Sequence, residues 1–151
     1  MSNGPMSFHL EHLGIAAQDP ENLKNWYERV LGARTVFDNR QKPPAYLLAL
    51  GDVGPNPSSS APDWASLREP MLEIYPGSHG LAETGYNRLC GWRHLALRVA
   101  SIEEAQRELA AKGVQFPDPI KPAGGGGRVL FFRDPEGNLL HLVERPHVAG
   151  S

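Results

Sequence analysis

A single cysteine, Cys90, occurs in the 151 residues, which excludes an internal disulfide and any cysteine-based metal cluster. No nucleophile motif surrounds it, and it reads as a structural or linker thiol. Lysine and arginine never form a run and the formal net charge is -2, so the electrostatic footprint of a nucleic-acid or anionic-lipid binder is missing. Small molecules are the expected partners. No apolar stretch approaches membrane-spanning length, and Met1 to Ser7 has no basic segment leading into an apolar core. Neither a membrane span nor a signal peptide is expected, and a cytoplasmic location follows by default. The remaining composition is ordinary for a chain that folds in water: 40% hydrophobic residues, 21% charged residues and a mean hydropathy of -0.39. The length suits one compact domain, or two small halves that share one.

Phe8 to Ala17 has strand character, with Leu13 and Ile15 on one face and Leu10, His12 and Gly14 on the other. Asp19 can cap a helix, Pro20 suits its first position, and Leu23, Trp26, Tyr27, Val30 and Leu31 recur at intervals of three and four. Gly32 can end it in the left-handed conformation. Extended segments come next, at Arg34 to Asp38 and Ala45 to Leu50. A long proline-, serine- and glycine-rich stretch, Gly51 to Glu69, reads as a loop or a lid. Pro70 to Tyr75 returns to strand, with Leu72 and Ile74 opposite Met71, Glu73 and Tyr75. Gly77 to Gly91 is polar and turn-rich.

The second half of the chain repeats the first. Trp92 to Val99 alternates Leu95, Leu97 and Val99 with His94 and Ala96, and Ser101 with Glu104 three residues on forms a capping box. The helix after it turns Ile102, Ala105 and Leu109 inward and stops at Gly113. His12 and His94 are 82 residues apart, and so are the caps Asp19 and Ser101, which marks one unit used twice. Arg128 to Arg133, a turn at Asp134 to Gly137 and a strand Leu139 to Glu144 close the second copy.

The aliphatic faces of these strands must bury against the helices. The opposite faces then present His12 and Glu73 from the first copy and His94 and His141 from the second. A lone strand histidine is ordinarily a hydrogen-bonded surface residue. Four imidazole or carboxylate groups on one inner surface of a duplicated unit point instead to a single metal site, of a type that accepts zinc, nickel, iron or manganese.

The segments HLGIAAQDPENLKNWYERVLG (His12 to Gly32), LEIYPG (Leu72 to Gly77), HLALRVASIEEAQRELAAKGV (His94 to Val114) and FFRDPEGNLLHLVE (Phe131 to Glu144) resemble the vicinal-oxygen-chelate superfamily. It includes glyoxalase I, methylmalonyl-CoA epimerase, extradiol dioxygenases, fosfomycin-resistance enzymes and bleomycin-binding proteins. The resemblance covers nearly the whole chain and implies an α+β fold of two βαβββ modules forming a U-shaped mixed-sheet cleft. A single domain is expected over about residues 7–146, with modules at about 7–76 and 91–146 and tails 1–6 and 147–151. The resemblance places metal ligands at His12, Glu73 and His94. The fourth position usually holds glutamate and here holds His141. That departure leaves Glu73 as the one carboxylate on the metal. It also breaks the dioxygenase pattern, which needs a last-strand glutamate, and Glu144 could fill that place only if a bulge shifted the strand parity.

The resemblance implies one divalent cation, zinc, nickel, manganese or iron, and proton transfer next to a carbonyl, as in glyoxalase-type lyases and epimerase-type isomerases. Glu73 is the candidate base, with Arg98 and Tyr75 as further substrate contacts. Against Arg98 stands a solvated strand-end arginine, and against Tyr75 simple packing. Other classes remain: a non-catalytic drug binder of bleomycin-resistance type, an iron-dependent dioxygenase, and thiol transfer to fosfomycin, to which no residue here points specifically. Gly124 to Gly127 reads as a flexible turn, since no helix comes after it to cradle phosphate. Trp64 could close over a substrate or anchor its loop. His9 and Glu11 fall on the wrong face for the metal, and His79 and His147 in loop and tail. A homodimer is expected whether the two modules of one chain face each other or swap with a partner.

Overall fold

A computed structural model of the chain describes residues 10–51, 70–78, 90 and 92–146. It divides into two compact units, Met1–Ser78 and His79–Ser151, each built on a four-stranded sheet. The first contains β1 (His12–Ala17), α1 (Pro20–Leu31), β2 (Arg34–Asp38), β3 (Tyr46–Ala49) and β4 (Met71–Pro76). The second contains β5 (His94–Arg98), α2 (Ile102–Ala111), β6 (Lys121–Pro122), β7 (Arg128–Arg133) and β8 (Leu139–Glu144). The strand orders are β1-β4-β3-β2 and β5-β8-β7-β6. In each unit the first and last strands pair in parallel and the other neighbours are antiparallel. A parallel pair needs a long crossover, which the helix and two intervening strands supply. This is the α+β, βαβββ arrangement used twice.

Helix boundaries obey the local chemistry. The Asp19 side chain accepts from the Asn22 N–H at 3.0 Å, and Gly32 ends α1 at φ 70°. A cap of this kind is worth about 1 kcal/mol. The Ser101 hydroxyl accepts from the Glu104 N–H at 3.3 Å, and α2 closes through Gly113 at φ 95°, with the Val114 N–H donating to the Leu109 carbonyl. Leu23, Tyr27 and Val30 of α1 are buried with Leu48, Leu72 and Ile74 in the first unit. In the second, Ile102 and Leu109 are buried with Leu130, Phe132, Leu140 and Leu142. Each full burial of such an aliphatic side chain is worth about 1.5–3 kcal/mol.

Three expectations need adjustment. The first strand starts at His12 rather than Phe8, since Leu10 and Glu11 lie before its first paired residue and residue 8 is outside the described part. β6 is an unforeseen two-residue strand. Its Lys-Pro sequence has no alternation to read, and proline is tolerated there because β6 is an edge. Trp26 and Leu31 are only half-buried. Beyond Gly51, the expected loop or lid with Trp64 lies outside the described residues, as do His9, His79, His147 and most of the turn-rich linker.

The two units differ where helix meets sheet. Pro20 opens α1 with no N–H to satisfy, whereas the equivalent Ile102 N–H donates to the Glu144 carboxylate at 2.9 Å. Arg128 donates to Glu144 at 2.8 Å and grips Glu103 with both terminal nitrogens, tying α2 to β7 and β8. The Arg128 hydrogen bond first, and the Ile102 N–H second, hold the Glu144 carboxyl below the usual carboxylate range. Its ionised form therefore stabilises the fold above the unfolded-state pKa, and that contribution is lost as pH falls through the folded-state value. Urea unfolding midpoints measured from about pH 7 down to about pH 3 should drop less steeply below about pH 4.5 in Glu144→Gln than in the unmodified chain. Parallel curves would show that this carboxylate contributes nothing to the acid response.

Candidate functional site

Register decides which side chains can meet. On the first sheet Gly14 of β1 pairs with Glu73 of β4, and His12 with Met71. On the second, Ala96 of β5 pairs with His141 of β8, and His94 with Leu139. Because Gly14 and Ala96 are equivalent in the duplication, so are Glu73 and His141. Each unit thus offers a histidine on its first strand and a second donor on the neighbouring last strand, displaced by two residues.

In the first unit a Cβ built on Gly14 would lie 3.1 Å from the Tyr75 ring and 3.9 Å from a Glu73 carboxylate oxygen. Glu73 and Tyr75 therefore lean together over the one position of β1 that has no side chain. His12 is exposed, and its Nδ1 lies 2.9 Å from the Glu11 carboxylate. With that carboxylate ionised, Nδ1 carries the proton and Nε2 presents a lone pair. Strand parity alone would turn Glu11 away from this histidine, but Glu11 precedes the first paired residue and so escapes that constraint. A bulge between Thr35 and Phe37 accompanies an apolar cluster of Val36, Ala49 and Met71, with Leu47 packed against it. Leu47 and Ala49 pair with Glu73 and Met71, so this cluster adjoins the carboxylate on its own face.

In the second unit the His94 and His141 ring centroids are 4.5 Å apart, and Phe131 stands against both at 5.9 and 4.9 Å. Phe131 is the direct β7 partner of His141, a neighbour that only the register identifies. His141 is buried, and its Nδ1 lies 3.1 Å from the Leu142 carbonyl oxygen. A carbonyl only accepts, so Nδ1 carries the proton and Nε2 is the available donor. Burial is the main cause that lowers the His141 pKa. The Leu142 hydrogen bond opposes it, while His94 and Arg145 add to it. A neutral imidazole with a free Nε2 is the form that binds a cation.

Glu144 takes no part in this face. The β7–β8 ladder runs without a register shift from Arg128–Glu144 to Arg133–Leu139, and the Glu144 carboxylate is spent on Ile102 and Arg128. Arg98 shares the parity of His94 and is exposed. The donor chemistry, three imidazoles and one carboxylate, fits a divalent first-row cation. Among the described residues no group of three or more His, Cys, Asp or Glu side chains is drawn together. In the second unit His94 and His141 stand side by side, whereas in the first His12 meets Glu11 and lies two register positions from Glu73.

The sequence profile of the Glyoxalase/Bleomycin resistance protein/Dioxygenase superfamily matches residues 9–142. The chain belongs to that superfamily. It is 29% identical over 138 residues to the uncharacterized protein YwkD of Bacillus subtilis, covering 90% of this chain and 96% of that one. The glyoxalase family protein of Enterococcus faecalis is similar in structure, with a TM-score of 0.68 and 27% identity over 90% of this chain and 97% of that one. The fosfomycin resistance protein FosX of Listeria monocytogenes, determined with Mn(II) and 1S,2S-dihydroxypropylphosphonic acid, shares the fold. Its TM-score is 0.63 at 17% identity, covering 93% of each chain.

A depressed imidazole pKa makes the fold lose stability as pH drops below the ordinary histidine value. In metal-free protein a proton NMR titration should find His141 ionising below that value. Long-range nitrogen correlation should find its proton on Nδ1. An ordinary titration with the proton on Nε2 would contradict this geometry.

Proposed function

We propose that this superfamily member is a divalent-metal-dependent lyase or isomerase of glyoxalase or epimerase type, acting on a small oxygen-chelating substrate by proton transfer next to a carbonyl. The observation that carries the reading is the register equivalence of Glu73 and His141, each two residues along from a first-strand histidine. His12, Glu73, His94 and His141 are the ligands, drawn from one chain or from two swapped chains of a homodimer. The Mn(II) in FosX supports a metal on this fold. When bound, the cation supplies Lewis acidity toward two adjacent substrate oxygens.

The protein's own part is acid–base work and orientation. The Glu73 carboxylate takes the proton from the carbon next to the carbonyl and returns it to the same carbon or its neighbour, so no oxidant or second substrate is needed. Gly14 leaves room for that movement, and Tyr75, leaning over the same gap, restricts where the carboxylate and substrate can go. His12 and His141, each with Nδ1 engaged, leave Nε2 as the nitrogen available to a cation. Arg98 is a substrate contact on the same face as His94.

A second reading, a non-catalytic binder of bleomycin-resistance type, draws on the apolar cluster of Val36, Leu47, Ala49 and Met71 beside Glu73. The dioxygenase reading needs a last-strand carboxylate on the ligand face, and Glu144 is engaged elsewhere.

Elemental analysis of protein purified without added metal should find roughly one zinc, nickel, manganese or iron per chain, lost in the His94→Ala, His141→Ala double variant. No metal in either, even after reconstitution, would leave the binder. Deuterium exchange into small 2-oxo acids and hydroxyketones, monitored by NMR, tests the base. Glu73→Gln should slow exchange by about 100-fold or more. Unchanged exchange would remove Glu73 from that role.

A further inference from the structure

The second unit carries an uneven distribution of charge on the face that bears His94 and His141. Glu144 is the one acidic residue on its four strands, and its carboxylate is committed to Ile102 and Arg128. None of these four strands places a carboxylate on the face of the histidines. Cations stand there instead. The register sets Lys121, Val129, Val143 and Arg98 in one row across all four strands, on the face of Phe131 and His141. The Lys121 ammonium lies over the Phe131 ring, 5.9 Å from its centroid, so it leans toward the histidine pair. Among the described residues neither Lys121 nor Arg98 makes an ion pair.

A third cation stands at the same end of the sheet. Arg145, directly after β8, donates from Nη1 to the carbonyls of Gly124 at 2.6 Å and Gly126 at 2.8 Å. The glycine run is therefore a clamp. Gly125, Gly126 and Gly127 all take positive φ, and a Cβ on Gly127 would collide with the Glu144 carbonyl oxygen, so glycine is required for the loop to close on this arginine. The guanidinium is fixed in advance, with nitrogens left for a ligand. Arg133, the remaining cation on this face, sits at the opposite end and bonds to the Gly137 carbonyl.

We infer that Lys121, Arg98 and the loop-clamped Arg145 form an oxyanion subsite, one step along the strands from His141, that holds a carboxylate or phospho group of the substrate. Three strand spacings, about 14 Å between Cα atoms, separate Arg98 from Lys121, a span that a lysine and an arginine reaching inward can close. Unpaired cations on a sheet face with no carboxylate of its own attract such an anion, and a guanidinium fixed in advance loses little freedom in binding it. The inference deepens the proposed function, since it takes the His94–His141 face as the substrate face, and it makes the substrate an anion.

The test is a nitrogen–proton shift titration of the full chain, freed of metal with EDTA, at low ionic strength. Inorganic phosphate is the probe in one arm and malonate in the other. Saturable shifts are expected at Arg98, Lys121, Arg145 and Gly124 to Gly127, and the tighter probe identifies the anion class. Affinity should fall about tenfold or more in Lys121→Met and in Arg98→Met, and stay unchanged in the control Lys112→Met, directly after α2. Absence of saturation, equal affinity in all variants, or binding that appears only on adding zinc would overturn the subsite. Metal content is measured separately. A chain that takes up no metal yet binds the anion would lose the lyase reading and keep the subsite.

Discussion

The pairing of the first and last strands of each unit is the constraint on which the rest depends. Parallel strands cannot be joined by a tight turn, so a long crossover is obligatory, here a helix and two strands, and the amphipathic face of the helix must cover one side of the sheet. The other side carries the polar candidates among apolar neighbours such as Met71 and Phe131. The period of two along a strand then admits no compromise. With Gly14 opposite Glu73 and Ala96 opposite His141, Glu73 and His141 fall on the face away from the helix, and a slip of one residue would turn both toward the helix.

Within this shared frame the two units have diverged in chemistry. The first carries a carboxylate, a tyrosine and an apolar cluster. The second carries paired imidazoles braced by Phe131, with an excess of cations on the same face. Their structural supports diverge in step. A proline relieves the start of α1 of an N–H, and a buttress of Glu144, Arg128 and Glu103 satisfies the corresponding N–H in α2. Strand parity sets Glu144, the one acidic residue on the strands of the second unit, on the helix side rather than on the face of His141.

The duplication is legible in the sequence because its signals are local. Caps, periodic aliphatic residues and stop glycines depend on neighbours within one turn, and an offset shared by His12 with His94 and Asp19 with Ser101 needs no knowledge of the fold. The strands Arg34–Asp38, Arg128–Arg133 and Leu139–Glu144 stand out by the same means. β6 does not, because two residues carry no period. The Glu11 contact is hidden because parity holds only within the paired part of a strand. The link between Arg145 and the glycine run is invisible in the sequence, since it joins a loop to a strand end about twenty residues away.

The sequence by itself determined the repeated unit and the strand face on which each of His12, Glu73, His94 and His141 stands, because alternation and capping are written in adjacent residues. Only the tertiary structure decided which positions stand opposite each other. Pairing register is a relation between segments distant in the chain, and it alone makes Glu73 the counterpart of His141, sets Phe131 beside two imidazoles, and turns Glu144 away from them toward a helix.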